Sequence, residues 1–222
     1  MGSDTRRIRL LIGTGLLALA FAVGISAAGR AAVLFTADLT HAQETVTGNL
    51  TFSNGDPRPL SFGTATLSLN DAQTELTLMV TIFNIDVTGT QTLDTFDNLV
   101  AAHIHSGATP GSNAPVAWGF FGVPDNDSNP DNLVVTPFAS GVGGTFTSIW
   151  NQPEGNGGRT LTSELPNLLA NLTYINFHTV QFPGGEIRGQ ILRVPEPGTL
   201  ALFGVGLGYA LWQRRRAKRI AA

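Results

Sequence analysis

Three of the four histidines in the chain fall in two short segments that alternate as β-strands do. The first segment, AAHIHSG over residues 101–107, places His103 and His105 two positions apart. The second, YINFHT over residues 174–179, contains His178. Because residues i and i+2 of a strand point to the same face, about 6.6 Å apart along it, the imidazoles of His103 and His105 can face one point.

If the two strands are neighbours, His103, His105 and His178 form a three-nitrogen site with donors that suit zinc or copper. Glu186 could serve in such a site as a further ligand or could orient an imidazole. With copper, the centre could also support redox chemistry. The alternative is a structural cluster, in which the same histidines hydrogen-bond to neighbouring strands and polar side chains without a metal. The sequence leaves both interpretations open.

Little in the sequence supports an enzyme. The chain has no cysteine, and it lacks the motifs of a serine nucleophile elbow, a phosphate-binding loop and a dinucleotide-binding turn. In the segment GGEIRG over residues 184–189, Glu186 and Arg188 share a strand face, which predicts a structural ion pair. No nucleophile lies beside this pair, so we expect a non-enzymatic protein.

The elements that would position these side chains are short strands. Apolar and polar residues alternate most clearly over residues 74–85, where Leu76, Leu78, Val80 and Ile82 share one face. Strands are predicted over residues 34–40, 48–53, 65–70, 74–85, 99–105, 116–122, 145–150, 172–180 and 186–192, with a polar loop over 86–98 and one helical segment over 163–172. Many short strands separated by Gly, Pro and Asn turns predict an all-β fold, an antiparallel β-sandwich or a Greek-key-like barrel.

Charge is divided unevenly between the middle of the chain and its ends. Residues 33–193 contain four arginines and no lysine against fourteen carboxylates, a net charge of −10. A domain so acidic repels phosphate backbones, so nucleic acid is not an expected partner. Without cysteines the domain must fold on its core alone, and about 160 residues suffice to bury roughly 70% of the unfolded surface.

Residues 1–32 are typical of a secretory signal peptide. The basic segment RRIR is followed by the apolar run LLIGTGLLALAFAVGIS and then by small residues, which is the order that export requires. Cleavage after Ala28, Ala31 or Ala32 fits the small-residue pattern. An uncleaved membrane anchor is the alternative.

Residues 194–222, at the C-terminal end of the chain, are typical of a second targeting signal. The motif Val194, Pro195, Glu196 and Pro197 ends any strand that arrives from the domain. An apolar helix of about 15 residues follows, short for a membrane span of about 20, and then the cluster QRRRAKR, which would stay on the cytoplasmic side. These parts resemble the PEP-CTERM signal of Gram-negative bacteria, which implies cleavage by an exosortase-type membrane enzyme. A plain membrane anchor at the envelope is the alternative.

The two histidine segments also resemble a known family. Together with ADLTHAQET near the start of the domain and GGEIRGQI at its end, they are similar to the CHRD (chordin-type) domain between residues 34 and 193. The resemblance implies an extracellular all-β domain whose biochemistry is largely undefined. We therefore expect a signal peptide (1–32), a CHRD-like domain (33–193) and a sorting tail (194–222).

Such an arrangement predicts a protein of the cell envelope, the outer surface or the extracellular matrix. Both apolar ends would contact the membrane before processing, the C-terminal one as a transmembrane helix. Besides the exosortase-type enzyme, the expected partners are exopolysaccharide or surface proteins. Copper or zinc is the expected cofactor if the histidines hold a metal.

Overall fold

The structure is a computed structural model that describes residues 32–46, 48–128, 133–195 and 197–220. The predicted signal peptide lies outside the described residues apart from Ala32. The strands are β1 (Val33–Thr40), β2 (Phe62–Leu69), β3 (Glu75–Phe83), β4 (Leu99–Ser106), β5 (Val116–Gly122), β6 (Val134–Pro137), β7 (Gly143–Asn151), β8 (Gly155–Asn156), β9 (Arg159–Thr160), β10 (Thr173–Thr179), β11 (Ile187–Gln190) and β12 (Leu192–Arg193). The helices are α1 (Leu161–Leu169) and α2 (Pro197–Ile220), and a 3₁₀ turn covers His41–Gln43.

Ten strands form one antiparallel sheet that curls into a half-barrel. Their order is β5-β4-β10-β11-β1-β2-β3-β7-β6, with β12 paired to β1. A separate hairpin joins β8 and β9. The prediction of an all-β fold is confirmed.

Alternation places one face of the sheet in the core. The side chains of Leu76, Leu78, Val80 and Ile82 on β3 are fully buried, as the sequence pattern predicts. The curl brings β5 and β7 together across this core, although they lie near opposite ends of the strand order. There the indole rings of Trp118 and Trp150 stack with centroids 5.7 Å apart.

Helix α1 supports the end of strand β4, which carries two of the histidines. The helix begins with a capping box: Ser163 N–H donates to Thr160 Oγ1, and Thr160 N–H donates to Ser163 Oγ. At the last residue of β4, the hydroxyl of Ser106 donates to Glu164 Oε2 of α1 at 2.5 Å. The helix thereby fixes where β4 ends.

One predicted strand is wrong. Within the described part of residues 48–53, the only ladder contact is an isolated bridge between Thr51 and Pro57. The chain turns back instead, with Phe52 N–H donating to the carbonyl oxygen of Asp56. Pro57 and Pro59 lack the N–H groups that a longer ladder would need. The predicted polar loop over residues 86–98 contains no strand or helix, as expected.

The predicted C-terminal helix is present as α2, and its described side chains are exposed. Among the helices of the described segments, none combines the length and apolar character that crossing a membrane requires.

Candidate functional site

Strands β4 and β10 lie side by side, so the two histidine segments meet. In their antiparallel register His103 is opposite Asn176, and His105 is opposite Tyr174. The core face of these strands carries apolar residues such as Ile104 and Ile175. The alternate positions carry the imidazoles, and they place His103, His105 and His178 together on the face that points away from the core.

The three imidazoles converge beneath the surface. Their ligand-type nitrogens all lie within 4.8 Å of one another, and His103 Nδ1 is 3.1 Å from His178 Nε2. Their exposed fractions are only 4% for His103 and 8% each for His105 and His178. The cluster is therefore well shielded from solvent.

A backbone carbonyl fixes the tautomer of each imidazole. A carbonyl oxygen only accepts, so the ring nitrogen that faces it must carry the proton. The contacts are His103 Nε2 to Val123 O at 3.1 Å, His105 Nδ1 to Ala114 O at 2.9 Å and His178 Nδ1 to Pro183 O at 2.9 Å. In the neutral form each ring then has a lone pair on its other nitrogen, and for His103 and His178 these are the two nitrogens that lie 3.1 Å apart.

Burial keeps the cluster neutral. It lowers the pKa of His103 to about 4 and that of His105 to about 4. The pKa of His178 is also lowered by burial. At neutral pH the lone pairs of His103 Nδ1 and His178 Nε2 therefore face each other without a proton to share. His105 Nε2 is buried and has no hydrogen-bond partner among the described residues.

The sequence pattern already places Tyr174 and Asn176 on the strand face of His178, but it does not predict the contacts that they make. Tyr174 stacks on His105 with ring centroids 4.6 Å apart, and the Arg188 guanidinium carbon lies 3.3 Å from the Tyr174 centroid. Asn176 donates through Nδ2 to Glu44 Oε1 at 3.1 Å, while its Oδ1 is buried without a partner in the described chain. The i, i+2 spacing of Tyr174 and Asn176 with His178 was the available signal for their shared face.

The predicted ion pair between Glu186 and Arg188 is wrong. The Glu186 carboxylate instead pairs with Arg58, whose Nη1 donates to Oε1 at 2.9 Å, in a fully buried contact. Thr179 also donates to this carboxylate at 2.6 Å. Glu186 precedes the first residue of β11, so the strand alternation assumed for it does not apply. Glu186 is not part of the group of converging ligand atoms.

Arg188 has a different set of contacts. Its Nη2 donates to the carbonyl oxygen of Ser112 at 2.7 Å, and its guanidinium covers the Tyr174 ring. No salt bridge involving Arg188 occurs among the described residues. Arg188 therefore packs against Tyr174, which in turn stacks on His105.

The sorting motif begins where the sheet ends. Val194 N–H donates to the carbonyl oxygen of Leu34 on β1 at 2.8 Å, and Pro195 is exposed. Helix α2 starts at Pro197, and Glu196 lies outside the described residues. The described part of the motif thus forms the boundary between the sheet and the exposed helix.

The fold and the site define an all-β domain with a buried imidazole cluster, and an exposed helix follows this domain. The CHRD domain matches residues 35–191, and the PEP-CTERM protein-sorting motif matches residues 193–216. The chain therefore belongs to the CHRD domain family, and both resemblances seen in the sequence are confirmed. No curated protein and no solved structure shows a significant match.

The sorting motif also bears on location. It implies export to the cell envelope or surface of a Gram-negative-type bacterium, with processing by an exosortase-type sorting enzyme.

Proposed function

We propose that the CHRD domain of this exported, surface-sorted protein is a non-enzymatic metal-binding module that holds zinc or copper through His103, His105 and His178. The observation that carries the proposal is the convergence of one ligand-type nitrogen from each of three buried imidazoles, together with a carbonyl contact on every ring. Such outer hydrogen bonds orient metal-binding histidines and raise their basicity.

The structural alternative, a cluster held by hydrogen bonds alone, requires a proton between two of the rings. A hydrogen bond between His103 Nδ1 and His178 Nε2, 3.1 Å apart, needs a proton on one of them. If both rings carry their single proton on the nitrogen that faces a carbonyl oxygen, an inner proton makes one ring cationic. Burial lowers the pKa of both rings and opposes that charge. A metal ion satisfies the same lone pairs without an added proton.

The distances suit a tetrahedral centre. With zinc–nitrogen bonds of about 2.0–2.1 Å, two ligand nitrogens are about 3.3 Å apart, close to the 3.1 Å between His103 and His178. The three ligand nitrogens lie within 4.8 Å of one another, so metal binding requires them to move somewhat closer together. Copper also accepts three imidazoles, so the nitrogens alone do not select one metal.

Shielding supports binding over catalysis. Structural zinc sites are closed, whereas catalytic sites keep a position open to substrate. With exposed fractions between 4% and 8%, these imidazoles resemble the closed kind. A metal would also link β4 to β10 in a chain that contains no cysteine for disulfides. Association with the extracellular matrix, exopolysaccharide or surface proteins stays a prediction.

The test is the metal content of the exported protein, purified from the periplasm, dialysed against zinc or copper and analysed by mass spectrometry. We expect about one metal ion per chain, and its loss in His105→Gln and His178→Gln. His41→Gln is the matched control, since both ring nitrogens of His41 contact carbonyl oxygens, those of Glu186 and Gly48. A folded wild-type protein that retains neither metal would refute the proposal.

A further inference from the structure

The side chain of Asn176 contributes a fourth acceptor to the histidine cluster. Asn176 lies opposite His103 in the strand register and two positions before His178, on the face that carries the imidazoles. It is only 2% exposed, and its Oδ1 has no hydrogen-bond partner among the described residues. An orphaned buried carbonyl oxygen is costly, so its position calls for a physical reason.

Glu44 determines which way the amide points. A carboxylate accepts hydrogen bonds, so the Asn176 atom that faces Glu44 Oε1 at 3.1 Å must be the Nδ2 donor. The oxygen then occupies the other side of the amide. This side chain lies within hydrogen-bonding reach of His105.

His105, which lies within reach of this amide, presents a second acceptor. His105 uses its only proton on the carbonyl oxygen of Ala114, so its Nε2 offers a lone pair. His105 Nε2 and Asn176 Oδ1 are both buried without a hydrogen-bond partner in the described chain. Two acceptors cannot satisfy each other, whereas a cation can satisfy both at once.

Gly185 makes room for the contact that orients the amide. A Cβ atom at this position would lie 2.5 Å from Asn176 Nδ2 and closer still to the Glu44 carboxylate. Its backbone φ of +124° is also one that side chains disfavour. Glycine at position 185 therefore leaves room for the hydrogen bond between Asn176 and Glu44.

The geometry points to Asn176 Oδ1 as the fourth metal ligand, which makes the centre a closed site of three nitrogens and one oxygen that selects zinc. Glu44 is then a positioning residue that holds the amide with its oxygen toward the metal. Zinc favours four-coordinate tetrahedral sites, whereas copper(II) favours square-planar or tetragonal ones. This inference rests on the proposed function, and it adds the oxygen ligand and the choice of metal.

The experiment compares the full-length wild-type protein with Asn176→Leu, which keeps the size of the side chain and removes the oxygen. Zinc affinity is measured by competition with a chromophoric chelator. Cobalt(II) replaces zinc for visible absorption, which reports the number and type of ligands. We expect Asn176→Leu to bind zinc more weakly by at least the roughly 10- to 100-fold typical of losing a residue that only supports a ligand, and to alter the cobalt spectrum.

Two further variants sharpen the result. Gln190→Leu is the matched control, because Gln190 is also a buried amide whose Oε1 has no partner in the described chain, and β10 separates it from the strand that carries His103 and His105. We expect it to leave zinc affinity and the cobalt spectrum unchanged. Glu44→Ala removes the hydrogen bond that orients the Asn176 amide. We expect a smaller loss of zinc affinity than in Asn176→Leu, together with a broader cobalt spectrum. This variant also provides the test if Asn176→Leu does not fold.

The outcomes separate the two proposals. Zinc affinity and a cobalt spectrum that are the same in the wild type, Asn176→Leu and Glu44→Ala would overturn the fourth ligand and leave the histidine site standing. Nitrogen ligands generally bind copper(II) more tightly than zinc. A preference for copper(II) larger than this general one, together with a tetragonal copper(II) spectrum, would overturn the selection of zinc. A wild-type protein that binds neither metal would overturn both proposals.

Discussion

Acidification should destabilise the metal-free domain through its buried histidines. Burial lowers the pKa of His103 and of His105 to about 4 from an ordinary value of 6.5. Between these values the unfolded chain binds more protons than the folded one, so the free energy of unfolding falls as the pH falls. The loss begins near pH 6.5 and is complete near pH 4.

The size of the effect follows from the two pKa values. At pH 5 each histidine lowers the free energy of unfolding by about 2 kcal/mol, and below pH 4 by about 3 kcal/mol. The two contributions are not independent, because repulsion between the protonated rings is one of the causes that lower the pKa of His103. Against a total of roughly 5–15 kcal/mol for a typical domain, this is a large fraction.

The assay is urea unfolding of the exported protein in the presence of a chelator at pH 7, 6, 5 and 4.5. Carboxylates also titrate in this range, so the quantity to compare is the pH slope of wild type against His103→Gln. The variant lacks one buried imidazole and should lose about 2 kcal/mol less between pH 7 and pH 5. His41→Gln serves as the control for removing a histidine outside the cluster. Equal slopes for wild type and His103→Gln would refute the reasoning from burial.

Three further substitutions test the fold around the site by chemical denaturation. Arg58→Ala should cost about 3–5 kcal/mol, because it leaves the buried Glu186 carboxylate without its cation; a loss below about 1 kcal/mol would show that the pair is not buried. Trp150→Ala should cost about 3–5 kcal/mol by opening a cavity beneath Trp118, and an unchanged midpoint would contradict the packing of β5 on β7. Thr160→Ala should cost about 1 kcal/mol through the lost helix cap, with no effect expected if α1 does not begin there.

The strands could be predicted where one face is buried and the other exposed. Strand β3 is the clearest case, since its four apolar side chains point to the core in strict alternation. The segment over residues 48–53 shows the same alternation, yet it forms no strand in its described part. Whether this segment forms a strand depends on the turn at Pro57 and Pro59 and on long-range contacts, and the alternation of polar and apolar residues does not predict either.

The site could be predicted only in part, because it depends on contacts between distant segments. Spacing placed His103 and His105 on one face, but their approach to His178 requires β4 to pair with β10, more than sixty residues later. The pairing of Glu186 with Arg58 joins residues even further apart and follows no local period. Nor does any pattern mark the loop carbonyls that fix the tautomers.

The backbone carbonyl oxygens beside the three imidazoles favour a metal over a hydrogen-bonded cluster. A cluster of three neutral imidazoles has three ring protons to distribute, and a self-contained hydrogen-bonded cluster would use at least one of them between the rings. Here each ring has one nitrogen against a backbone carbonyl oxygen, two of the other ring nitrogens face each other at 3.1 Å, and burial opposes an added proton. Asn176 Oδ1, on the same strand face, is a further buried acceptor without a hydrogen-bond partner among the described residues. The inward-facing atoms of the site therefore match the requirements of a cation, and this match depends on where the protons are more than on the number of histidines.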